Sequence, residues 1–522
     1  MIQVSDFGLI IRGGAVVDGS GAEPRRADVA VAGDRVVALG ELTGESADRE
    51  IDATDRLVFP GFIDAHSHAD VLLTTPLVQQ AYLRQGVTTV IVGQDGVSFA
   101  PTDAGSIGYP SRYFAAINGP SPDGFASGVD IKGLLDRLDG AGALNAGCLV
   151  PAGTLRARYV GPANERATPA QLGAMGAALE RAMAEGALGL STGLDYVPGA
   201  FADVAELAAL CVPVARAGGV YVSHVRGYAA DTIRDALDEA AQISQLSGAA
   251  AHISHLHGPA DSVELALDSC RTERGVTLTF DSYPYLRGAT LLAMLALPAQ
   301  LQAGGIDATL ERLGQPAVRE QLRREWLPAN ERLASVTLSF LGAPSLRWAE
   351  GLPLYEAARR SGNDLADFIC DSLISCDLAI GGVVDNGADR TEADLRELLR
   401  HPEQMASSDA IFLGSRPHPR GWGAFARLLA RHVRELGDWS WGEAALHLSG
   451  NAARRFGLDG RGSISSGSVA DLVVLDPRTV RDNATYDEPT TLATGVSQVV
   501  VGGQLVLDRG ELTGSRVGRA LR

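Results

Sequence analysis

The sequence predicts an α/β fold built on a parallel sheet, with a smaller β domain formed by the two ends of the chain. In the middle of the chain, short apolar segments alternate with amphipathic helical segments. Parallel sheets show this alternation because each strand returns to the sheet through a helix. Both termini, by contrast, contain strand-like runs broken by Gly and Asp turns. The parallel sheet either closes as a (β/α)₈ barrel or opens as a doubly wound sheet.

The two ends of the chain are expected to meet in one small β domain. Residues 1–57 contain the strand-like runs LIIRGGAVVDG and ADVAVAGDRVVALG. Residues 460–522 contain SVADLVVLD and VSQVVVGGQLVLDRGEL, which have the same character. Because both segments are β-rich and residues 58–459 between them are not, we expect the terminal strands to pair with one another.

Residues 58–459 hold the predicted parallel strands and their helices. The strands lie in VFPGFIDAH, GVTTVIVGQD, GALGLSTGLDY, GVYVSHV, AAAHISHLH, VTLTFDSYPY and QMASSDAIF, and helices include 169–185, 231–246 and 419–436. Residues 97–127 are rich in Gly, Ser, Pro and aromatic residues, which predicts a loop that covers a site. Residues 286–345 are predicted to be a helical insertion. The sequence has neither GxGxxG after an early strand nor GxxxxGK[ST], so it lacks the usual signatures of nucleotide binding.

The composition is that of an ordinary folded protein and argues against several partners. The 522 residues include 45 basic and 63 acidic side chains, which give a net charge of −18. Such an acidic chain lacks the basic surface that neutralises phosphates, so we expect no nucleic-acid partner. The longest apolar run, at 289–298, is shorter than the roughly 20 residues that span a bilayer, so no membrane partner is expected. Five scattered cysteines without a CxxC pair, and an N-terminus without a signal-peptide pattern, predict a cytoplasmic protein.

A histidine pair closes the first predicted parallel strand. His66 and His68 end the segment VFPGFIDAHSHAD, and residues two apart on a strand point to the same side. Barrel enzymes place their active sites at the carboxyl ends of the strands, where this pair falls. Imidazole is a good zinc ligand, so the pair is a candidate for metal binding.

Two later strands end on histidines as well. His224 closes GVYVSHV and His255 closes AAAHISHLH, about one βα unit further along, so we expect them on adjacent strand ends. His252 lies three residues before His255, on the opposite face of the strand, and is interpreted as a packing residue. His257 shares the face of His255 and lies further out, near the expected path of the substrate.

Two carboxylates complete the candidate site. Asp95 follows GVTTVIVGQ, and Asp409 follows QMASS at the end of the last predicted barrel strand. With the four histidines they offer enough nitrogen and oxygen ligands for one or two divalent ions. A bound metal ion lowers the pKa of water from about 15.7 to about 7 and polarises a carbonyl group, which suits hydrolysis. Asp409 is expected to take the proton of the nucleophile and return it to the leaving amine.

Seven motifs occur along the chain in a characteristic order: FPGFIDAHSHAD, EGALGLSTGLDYVPG, YVSHVRG, HISHLH, FDSYPY, SSD and RPHPRGWGAFARLL. The ordered set resembles the N-acyl-D-amino-acid deacylases, or D-aminoacylases, of the amidohydrolase superfamily. RGSISSGSVADLVVLDP is similar to the closing stretch of that superfamily. The resemblance covers nearly the whole chain and implies a zinc-dependent (β/α)₈ TIM-like barrel with a small β-sandwich domain built from both termini. It also implies hydrolysis of the amide bond between an acyl group and a D-amino acid.

The resemblance assigns roles to individual residues. It implies metal ligation by His66, His68, His224 and His255, and a catalytic role for Asp409. It further implies that Arg420 pairs with the substrate carboxylate and that Tyr196 and Tyr283 line the substrate pocket. The implied partner is a small N-acylated molecule, and His257 is expected to contribute to its binding when protonated.

The chain departs from the family at the metal site. The family usually reads GNCG, with a cysteine ligand, where this chain reads GQDG and presents Asp95. A carboxylate is a harder ligand than a thiolate, so a divalent metal is better supported than zinc in particular. A bridging carboxylated lysine is not expected, because the only lysine, Lys132, lies in the helical stretch IKGLLDRLDG.

The substrate-binding motifs depart as well. The chain has His257 where the family often has the lysine of SHLK, and Ala289 where the family often has a serine. Ala152 stands where relatives often carry a histidine. The family's lysine and serine help to hold the substrate carboxylate. We therefore hypothesise a substrate whose carboxylate is held less tightly or is masked. Comparing the turnover of an N-acyl-D-amino acid with that of its amide or methyl ester tests this hypothesis.

Three other functions remain open at this point. A D-Xaa or L-Xaa-D-Xaa dipeptidase is chemically close, because a dipeptide is an N-acylated amino acid. A hydantoinase-like hydrolase of cyclic amides is disfavoured by the missing bridging lysine and by the motifs STGLDY and HPR. A non-catalytic barrel is disfavoured because every core position keeps a residue that can bind metal. A homodimer is compatible with all of these readings.

Overall fold

The middle of the chain folds into short parallel strands separated by helices, and the two ends supply strands to one further sheet. The computed structural model describes residues 7–387 and 390–522, so the first six residues of the predicted terminal domain lie outside the described residues. The strands are β1 (Phe7–Val16), β2 (Arg25–Ala32), β3 (Arg35–Gly40), β4 (Ala47–Asp52), β5 (Leu57–Pro60), β6 (Phe62–Asp64), β7 (Val87–Val92), β8 (Asn145–Cys148), β9 (Val150–Pro151), β10 (Gly189–Gly193), β11 (Val220–His224), β12 (Ala250–Ile253), β13 (Thr279–Ser282), β14 (Arg287–Leu291), β15 (Thr337–Leu341), β16 (Ile380–Asp385), β17 (Gln404–Ala406), β18 (Leu472–Leu475), β19 (Val496–Val501), β20 (Gln504–Asp508) and β21 (Glu511–Leu512).

The helices connect these strands and cover the parallel sheets. They are α1 (Pro76–Leu83), α2 (Ala115–Asn118), α3 (Ile131–Leu138), α4 (Ala152–Tyr159), α5 (Pro169–Ala184), α6 (Val204–Arg216), α7 (Ile233–Ser247), α8 (Ala260–Arg274), α9 (Leu292–Ala296), α10 (Ala299–Gln302), α11 (Ile306–Leu313), α12 (Pro316–Gln321), α13 (Leu327–Ala329), α14 (Leu354–Ser361), α15 (Leu365–Ser375), α16 (Glu392–Arg400), α17 (Arg420–Arg427), α18 (Trp441–Ala445) and α19 (Asn451–Arg455). Short 3₁₀ turns cover Asp70–Thr74, Gly199–Phe201, Glu331–Ser335 and Pro344–Ala349, and π-helical turns cover Tyr109–Tyr113, Leu322–Trp326, Leu428–Glu435 and Leu446–Gly450. No helix in the described part of the chain is both long and apolar enough to cross a membrane.

The parallel strands form two sheets, in the orders β6-β7-β8 and β9-β10-β11-β12-β13-β17. Backbone hydrogen bonds join the two sheets at both ends. Leu188 N donates to Cys148 O at 2.9 Å, beside β8 and β10, and Asp409 N donates to His66 O at 2.9 Å, beyond β17 and β6. Neighbouring strands therefore place their carboxyl ends at one common edge.

Burial explains why these segments become strands and helices. Every residue of β7 is buried, as expected for a parallel strand covered on both faces. Helix α7 instead buries one face, formed by residues at helical spacing: Ile233, Ala236, Leu237, Ala240, Ala241, Ile243 and Ser244. It ends at Gly248, which adopts a left-handed conformation with φ of 78°. The segments predicted as strands in residues 58–459 each contain a strand.

Strands from both ends of the chain pair in a mixed nine-stranded sheet. Its order is β21-β20-β19-β18-β5-β1-β2-β3, and β4 pairs with β1. The junction between the termini is the antiparallel pair β5–β18, in which Val58 lies opposite Val474. One face packs into an apolar cluster of residues from both terminal segments, which include Ile11, Val29, Val58, Leu472 and Val500. The expected meeting of the two ends therefore takes place, and the predicted boundaries 1–57 and 460–522 stay a prediction.

The predicted helical insertion at 286–345 also contains strands and extends further along the chain. Strands β14, β16 and β15 form an antiparallel sheet of their own, and β16 ends at Asp385. Helices α9 to α15 and the preceding Phe114 and Ile117 pack with this sheet around a separate apolar core. Strand pairing across about 90 residues of chain is a tertiary event, which the helical composition of the segment did not signal.

The stretch predicted as a covering loop, 97–127, is partly helical. It contains the π-helical turn Tyr109–Tyr113 and α2, and Ile117 lines the cavity described below. Aromatic contacts order it, since the Phe114 ring meets that of Tyr196 with centroids 5.1 Å apart.

Candidate metal centre and substrate cavity

All six residues predicted as metal ligands lie at the carboxyl ends of parallel strands. His224 is the last residue of β11 and the other five follow their strands within four residues: His66 and His68 after β6, Asp95 after β7, His255 after β12 and Asp409 after β17. This edge is where α/β proteins place their active sites. The fold brings the six side chains together from segments that are far apart in the sequence.

Asp95 lies at the centre of the four imidazoles. Its Oδ1 is 3.6 Å from His66 Nε2. Its Oδ2 is 3.5 Å from His68 Nε2 and 3.5 Å from His224 Nδ1. The same oxygen is 3.4 Å from His255 Nε2. The carboxylate of Asp95 therefore faces every predicted histidine ligand.

Asp409 lies beside the same imidazoles and also contacts an arginine. Its Oδ1 is 3.4 Å from His68 Nε2 and 3.7 Å from His66 Nε2, and its Oδ2 is 2.8 Å from Arg420 Nη1. Burial raises the pKa of Asp409, but Arg420 and His68 lower it below its usual range. Asp409 is therefore a carboxylate at neutral pH, the form that accepts a proton.

The spacing of the donor atoms fits a divalent metal ion. In a tetrahedral site with bonds of about 2.0–2.1 Å, neighbouring donors lie about 3.3 Å apart, close to the separations around Asp95 and Asp409. Among the described residues, two groups meet the spacing of a metal site, His66–His68–Asp409 and His66–Asp95–His255. His66 Nε2 and Asp95 Oδ1 are buried and have no hydrogen-bond partner among the described residues. A bound cation would satisfy these atoms, so the centre is a divalent-metal site.

The backbone is strained at three of these positions. Asp95, His255 and Asp409 have φ values of 52°, 35° and 47°, in the left-handed region that side chains other than glycine rarely adopt. They are three of seven such non-glycine residues among those described. Strain of this kind costs free energy and persists where the surrounding structure imposes it, as it often does at functional sites.

The electrostatics of the centre also favour a cation. Burial lowers the pKa of His66, but nearby carboxylates, Asp95 first, raise it well above its usual range. Burial likewise lowers the pKa of His224, and Asp195 and Asp95 raise it to about 9. Burial raises the pKa of Asp95, yet His66 and His255 hold it well below its usual range. The buried carboxylates of the centre therefore favour protonated imidazoles. A bound metal ion would supply this positive charge instead.

Asp281 is a buried residue behind the centre that the sequence analysis did not single out. It accepts hydrogen bonds from His252 Nε2 and from the backbone N–H of His255, each at 3.0 Å, and lies 3.5 Å from His66 Nδ1. His252, expected to be a packing residue, is buried but also bonds Thr279 through Nδ1 at 2.9 Å. Carboxylates in this position orient ligand histidines and fix their tautomers.

Two further carboxylates that sequence reasoning missed support ligand residues. Asp195 Oδ2 lies 3.3 Å from His224 Nε2, on the ring edge opposite Asp95. Asp64 accepts hydrogen bonds from the backbone N–H groups of Ser408 and His66, at 2.8 and 3.3 Å. The available signal was that each of these residues, like Asp281, lies inside a recognised motif, STGLDY, FPGFIDAHSHAD or FDSYPY.

A cavity of about 310 Å³ opens directly onto the centre. Both tyrosines expected to line the substrate pocket border it. The Tyr196 hydroxyl lies 2.9 Å from Thr290 Oγ1, and its ring centroid is 5.2 Å from that of His224. The guanidinium of Arg420 lies 4.6 Å from the ring centroid of Tyr283. The volume suits a small molecule.

Arg420 and His257 both border the cavity. Arg420 is buried and borders the cavity, and its Nε and Nη2 have no hydrogen-bond partner among the described residues. His257 also borders the cavity, but burial and Arg390 hold its pKa well below the usual range. Its Nδ1 donates to the His255 carbonyl at 2.9 Å, and its ring stacks on Tyr228. Burial therefore disfavours a protonated His257, and its contribution to substrate binding stays a prediction.

Lys132 lies on helix α3, as the sequence predicted, where it is exposed and pairs with Asp136. It has no access to the buried centre, so the absence of a lysine ligand in this chain follows from its position.

A buried cluster of imidazoles and carboxylates at the carboxyl edge of a parallel sheet defines a metal-dependent hydrolase of the amidohydrolase class. The chain belongs to the amidohydrolase family, whose model matches residues 49–507, and within it to the D-aminoacylases. It is 33% identical over 529 residues to D-aminoacylase of Alcaligenes xylosoxydans xylosoxydans, with 99% of this chain and 97% of the relative covered. It is accordingly an enzyme that hydrolyses carbon–nitrogen bonds of linear amides.

Two solved structures have the same overall fold. N-acyl-D-glutamate deacylase from Bordetella bronchiseptica, complexed with zinc and a phosphonate mimic of the tetrahedral intermediate, is 31% identical, with a TM-score of 0.83 and 99% of both chains covered. A D-aminoacylase structure, described for a binuclear metal centre with one-metal activation and second-metal attenuation, is 30% identical. Its TM-score is 0.83, with 99% of this chain and all of that chain covered. The fold is thus the α/β fold of these deacylases.

Proposed function

We propose that this chain removes the acyl group from N-acyl-D-amino acids by hydrolysing the amide bond, with Asp409 as the general base and acid. The observation that carries the proposal is the position of Asp409. It lies within 3.7 Å of His66 and His68 and 2.8 Å from Arg420, at the edge of the cavity. One carboxylate thus lies between the metal centre and the residue proposed to bind the substrate.

Six residues would hold the metal: His66, His68, Asp95, His224, His255 and Asp409. We propose zinc, in one or two ions, because four imidazoles dominate the donor set and imidazole suits zinc. When bound, the metal supplies Lewis-acid polarisation of the scissile carbonyl and an acidified water. Within this set, the Asp95 carboxylate approaches all four imidazoles and would be a ligand of the metal together with them.

Asp409 would move one proton through the reaction. Its Oδ accepts a proton from the attacking water as the oxygen–carbon bond forms, and it then donates that proton to the amide nitrogen as the carbon–nitrogen bond breaks. The products are a carboxylate and a free D-amino acid. The neighbouring Arg420 and His68 favour the ionised form of Asp409, so it starts the cycle as a base.

Arg420 would bind the α-carboxylate of the substrate. Its Nε and Nη2 are buried beside the cavity and free of partners among the described residues, and guanidinium groups pair with carboxylates through two hydrogen bonds. Tyr283 packs against the Arg420 guanidinium and Tyr196 packs against His224, so both would shape the pocket. His257, being neutral, would contribute a hydrogen-bond acceptor rather than a charge.

We further propose that the parallel strands close into a (β/α)₈ barrel and that the terminal strands form a small β-sandwich domain. The hydrogen bonds that join the two parallel sheets at both ends support closure. The five buried, unpaired cysteines support a cytoplasmic location. The homodimer stays a prediction.

Asp409→Asn tests the proposal directly. We expect kcat for N-acetyl-D-amino acids to fall by about 10²–10⁴-fold, since the variant keeps the size of the side chain but cannot accept the proton. Metal content by elemental analysis, measured on the same samples, separates lost chemistry from lost metal. A variant that binds metal normally and keeps turnover within about threefold of wild type would contradict the role of Asp409.

A substrate panel tests the class of reaction. N-acetyl and longer N-acyl derivatives of D- and L-amino acids, a D-Xaa dipeptide and a hydantoin are compared with added Zn²⁺, Mn²⁺ or Co²⁺. The proposal expects the N-acyl-D-amino acids to have the highest kcat/KM and chelation to abolish turnover. A dipeptide or hydantoin turned over best would identify the alternative function instead.

A further inference from the structure

Arg390 is a buried arginine that neither the metal centre nor the proposed mechanism uses. It borders the substrate cavity and is only 6% exposed. Its Nε and Nη1 are buried and have no hydrogen-bond partner among the described residues. Because a guanidinium remains charged in proteins, a buried one without an anion is costly. The cavity therefore contains a positive charge that the described part of the chain does not neutralise.

Arg390 differs in this respect from the other arginines around the cavity. Arg226 pairs with a glutamate at 3.0 Å and donates to backbone carbonyls, and Arg332 is exposed to solvent. Arg420 contacts Asp409 at 2.8 Å. Arg390 alone is both buried and without an acidic partner among the described residues.

The position of Arg390 indicates which part of a substrate it would meet. Its guanidinium lies 5.7 Å from the ring centroid of Tyr283, and that of Arg420 lies 4.6 Å from the same centroid. The two cations therefore flank one aromatic ring on the cavity wall. With Arg420 assigned to the α-carboxylate, Arg390 lies on the amino-acid side of the scissile bond rather than the acyl side.

A substrate with a single carboxylate leaves Arg390 without an anion in this arrangement. Arg420 contacts Asp409 through Nη1 and would bind the α-carboxylate through its free Nε and Nη2, so the charge of Arg390 still faces the cavity. A second carboxylate on the substrate would neutralise the charge of Arg390.

We propose that Arg390 is a specificity residue that binds a second carboxylate of the substrate, on the side chain of the D-amino acid. The preferred substrates are then N-acyl-D-amino acids with an acidic side chain. This inference rests on the proposed function and deepens it. Two buried guanidinium groups at one cavity also argue against a substrate whose carboxylate is masked.

The test compares N-acetyl-D-glutamate with N-acetyl-D-glutamine, which has the same shape without the second charge. We expect wild type to prefer the acid in kcat/KM by roughly 30-fold or more, the usual effect of a buried charge pair. Arg390→Gln should lower kcat/KM for the acid by a similar factor and leave the amide within about threefold. Arg390→Lys, which keeps the charge, should recover part of the preference.

Arg332→Gln is the matched control. It removes the same charge from an exposed arginine at the same cavity, and we expect it to change the ratio of the two substrates by less than about threefold. Circular dichroism and melting temperature confirm that each variant is folded.

Three results would overturn the inference. Equal losses on both substrates in Arg390→Gln would assign Arg390 to the α-carboxylate or to the cavity wall. A wild type that does not distinguish acid from amide would show that no second carboxylate is bound. A loss confined to N-succinyl-D-leucine, whose extra carboxylate is on the acyl group, would move the subsite across the scissile bond.

Binding of the products separates this inference from the proposed function. D-glutamate should bind metal-loaded wild type more tightly than D-glutamine, by calorimetry, and Arg390→Gln should remove the difference. If no N-acyl substrate is hydrolysed but this difference is found, the proposed function fails and the anion subsite stands. If N-acyl substrates are hydrolysed but the two products bind equally well, the anion subsite is refuted and the proposed function stands.

Discussion

Replacing Asp281 with asparagine should weaken metal binding, although every predicted metal ligand keeps its own side chain. Asp281 is fully buried behind the centre. Its carboxylate accepts hydrogen bonds from His252 Nε2 and from the His255 backbone N–H, each at 3.0 Å, and lies 3.5 Å from His66 Nδ1. Burial raises the pKa of Asp281, but His66 and His252 lower it far below its usual range, so the residue is ionised. Asparagine keeps the volume and one oxygen acceptor but removes the charge.

The expected magnitude follows from these contacts. The single amide oxygen of asparagine can serve either the His255 N–H or His252, so one hydrogen bond to a charged acceptor is lost, worth about 1.5–3 kcal/mol. His66 also loses the carboxylate beside its outer nitrogen. Removing such a partner of a metal-binding histidine typically weakens metal affinity by about 10–100-fold, or about 1.4–2.7 kcal/mol. We expect Asp281→Asn to fall in this range.

Competition between the protein and a fluorescent zinc chelator measures the affinity. Because Asp281 does not border the cavity, saturating metal should restore kcat/KM to within about tenfold of wild type. Thr279→Val is the control, since it removes the hydroxyl on the other side of His252 and leaves Asp281 in place. An affinity for Asp281→Asn within about twofold of wild type, in a folded variant, would refute the idea that this carboxylate supports the ligands.

Three further predictions concern packing, pH and metal removal. A Cβ at Gly193 would lie 2.2 Å from the Asp95 carbonyl oxygen, so Gly193→Ala should lower the free energy of unfolding by about 1–3 kcal/mol and reduce metal content. Gly173→Ala, on helix α5 with open space around the new methyl, should instead raise stability by about 0.5–1 kcal/mol, as measured by urea unfolding. Burial raises the pKa of Asp438, but Arg396 and His432 lower it below its usual range, so its contribution to stability is complete above the unfolded pKa of about 3.9 and is lost on acidification. The melting temperatures of wild type and Asp438→Asn should therefore differ most near neutral pH and converge in acid, and a constant difference would argue against this ion pair. Chelation should lower the melting temperature of wild type and added zinc should restore it, since a ligand at 100 times its Kd stabilises by about 2.7 kcal/mol.

Much of the site could be predicted from the sequence because its residues follow strands. His66 and His68 are two residues apart after an apolar strand, and His224 ends a strand outright, so local periodicity places them at one edge. Asp95 was less conspicuous because it lies in a surface-like GQDG turn, and its position after the predicted strand GVTTVIVGQ made it a candidate. Its contact with four imidazoles depends on strand order, which local sequence does not encode.

The supporting residues could not be assigned in the same way. Asp281, Asp195 and Asp64 lie within recognisable motifs, yet their roles depend on which ligand each one faces across the sheet. Arg390 was not anticipated, because the role proposed for it rests on burial without an acidic partner among the described residues, a property that exists only in the folded chain. The lowered pKa of His257 could not be anticipated for the same reason, since burial and Arg390 together cause it.

The amino-acid sequence by itself determined the α/β class, the strand ends that carry the metal-binding candidates, and the family. These follow from hydrophobic periodicity and from motifs, which are local properties. Tertiary structure decided the antiparallel sheet of the insertion, the lowered pKa of His257 and the burial of Arg390 beside the cavity. Pairing, desolvation and Coulomb interaction act between segments that are distant in the chain, so only the folded arrangement determines them.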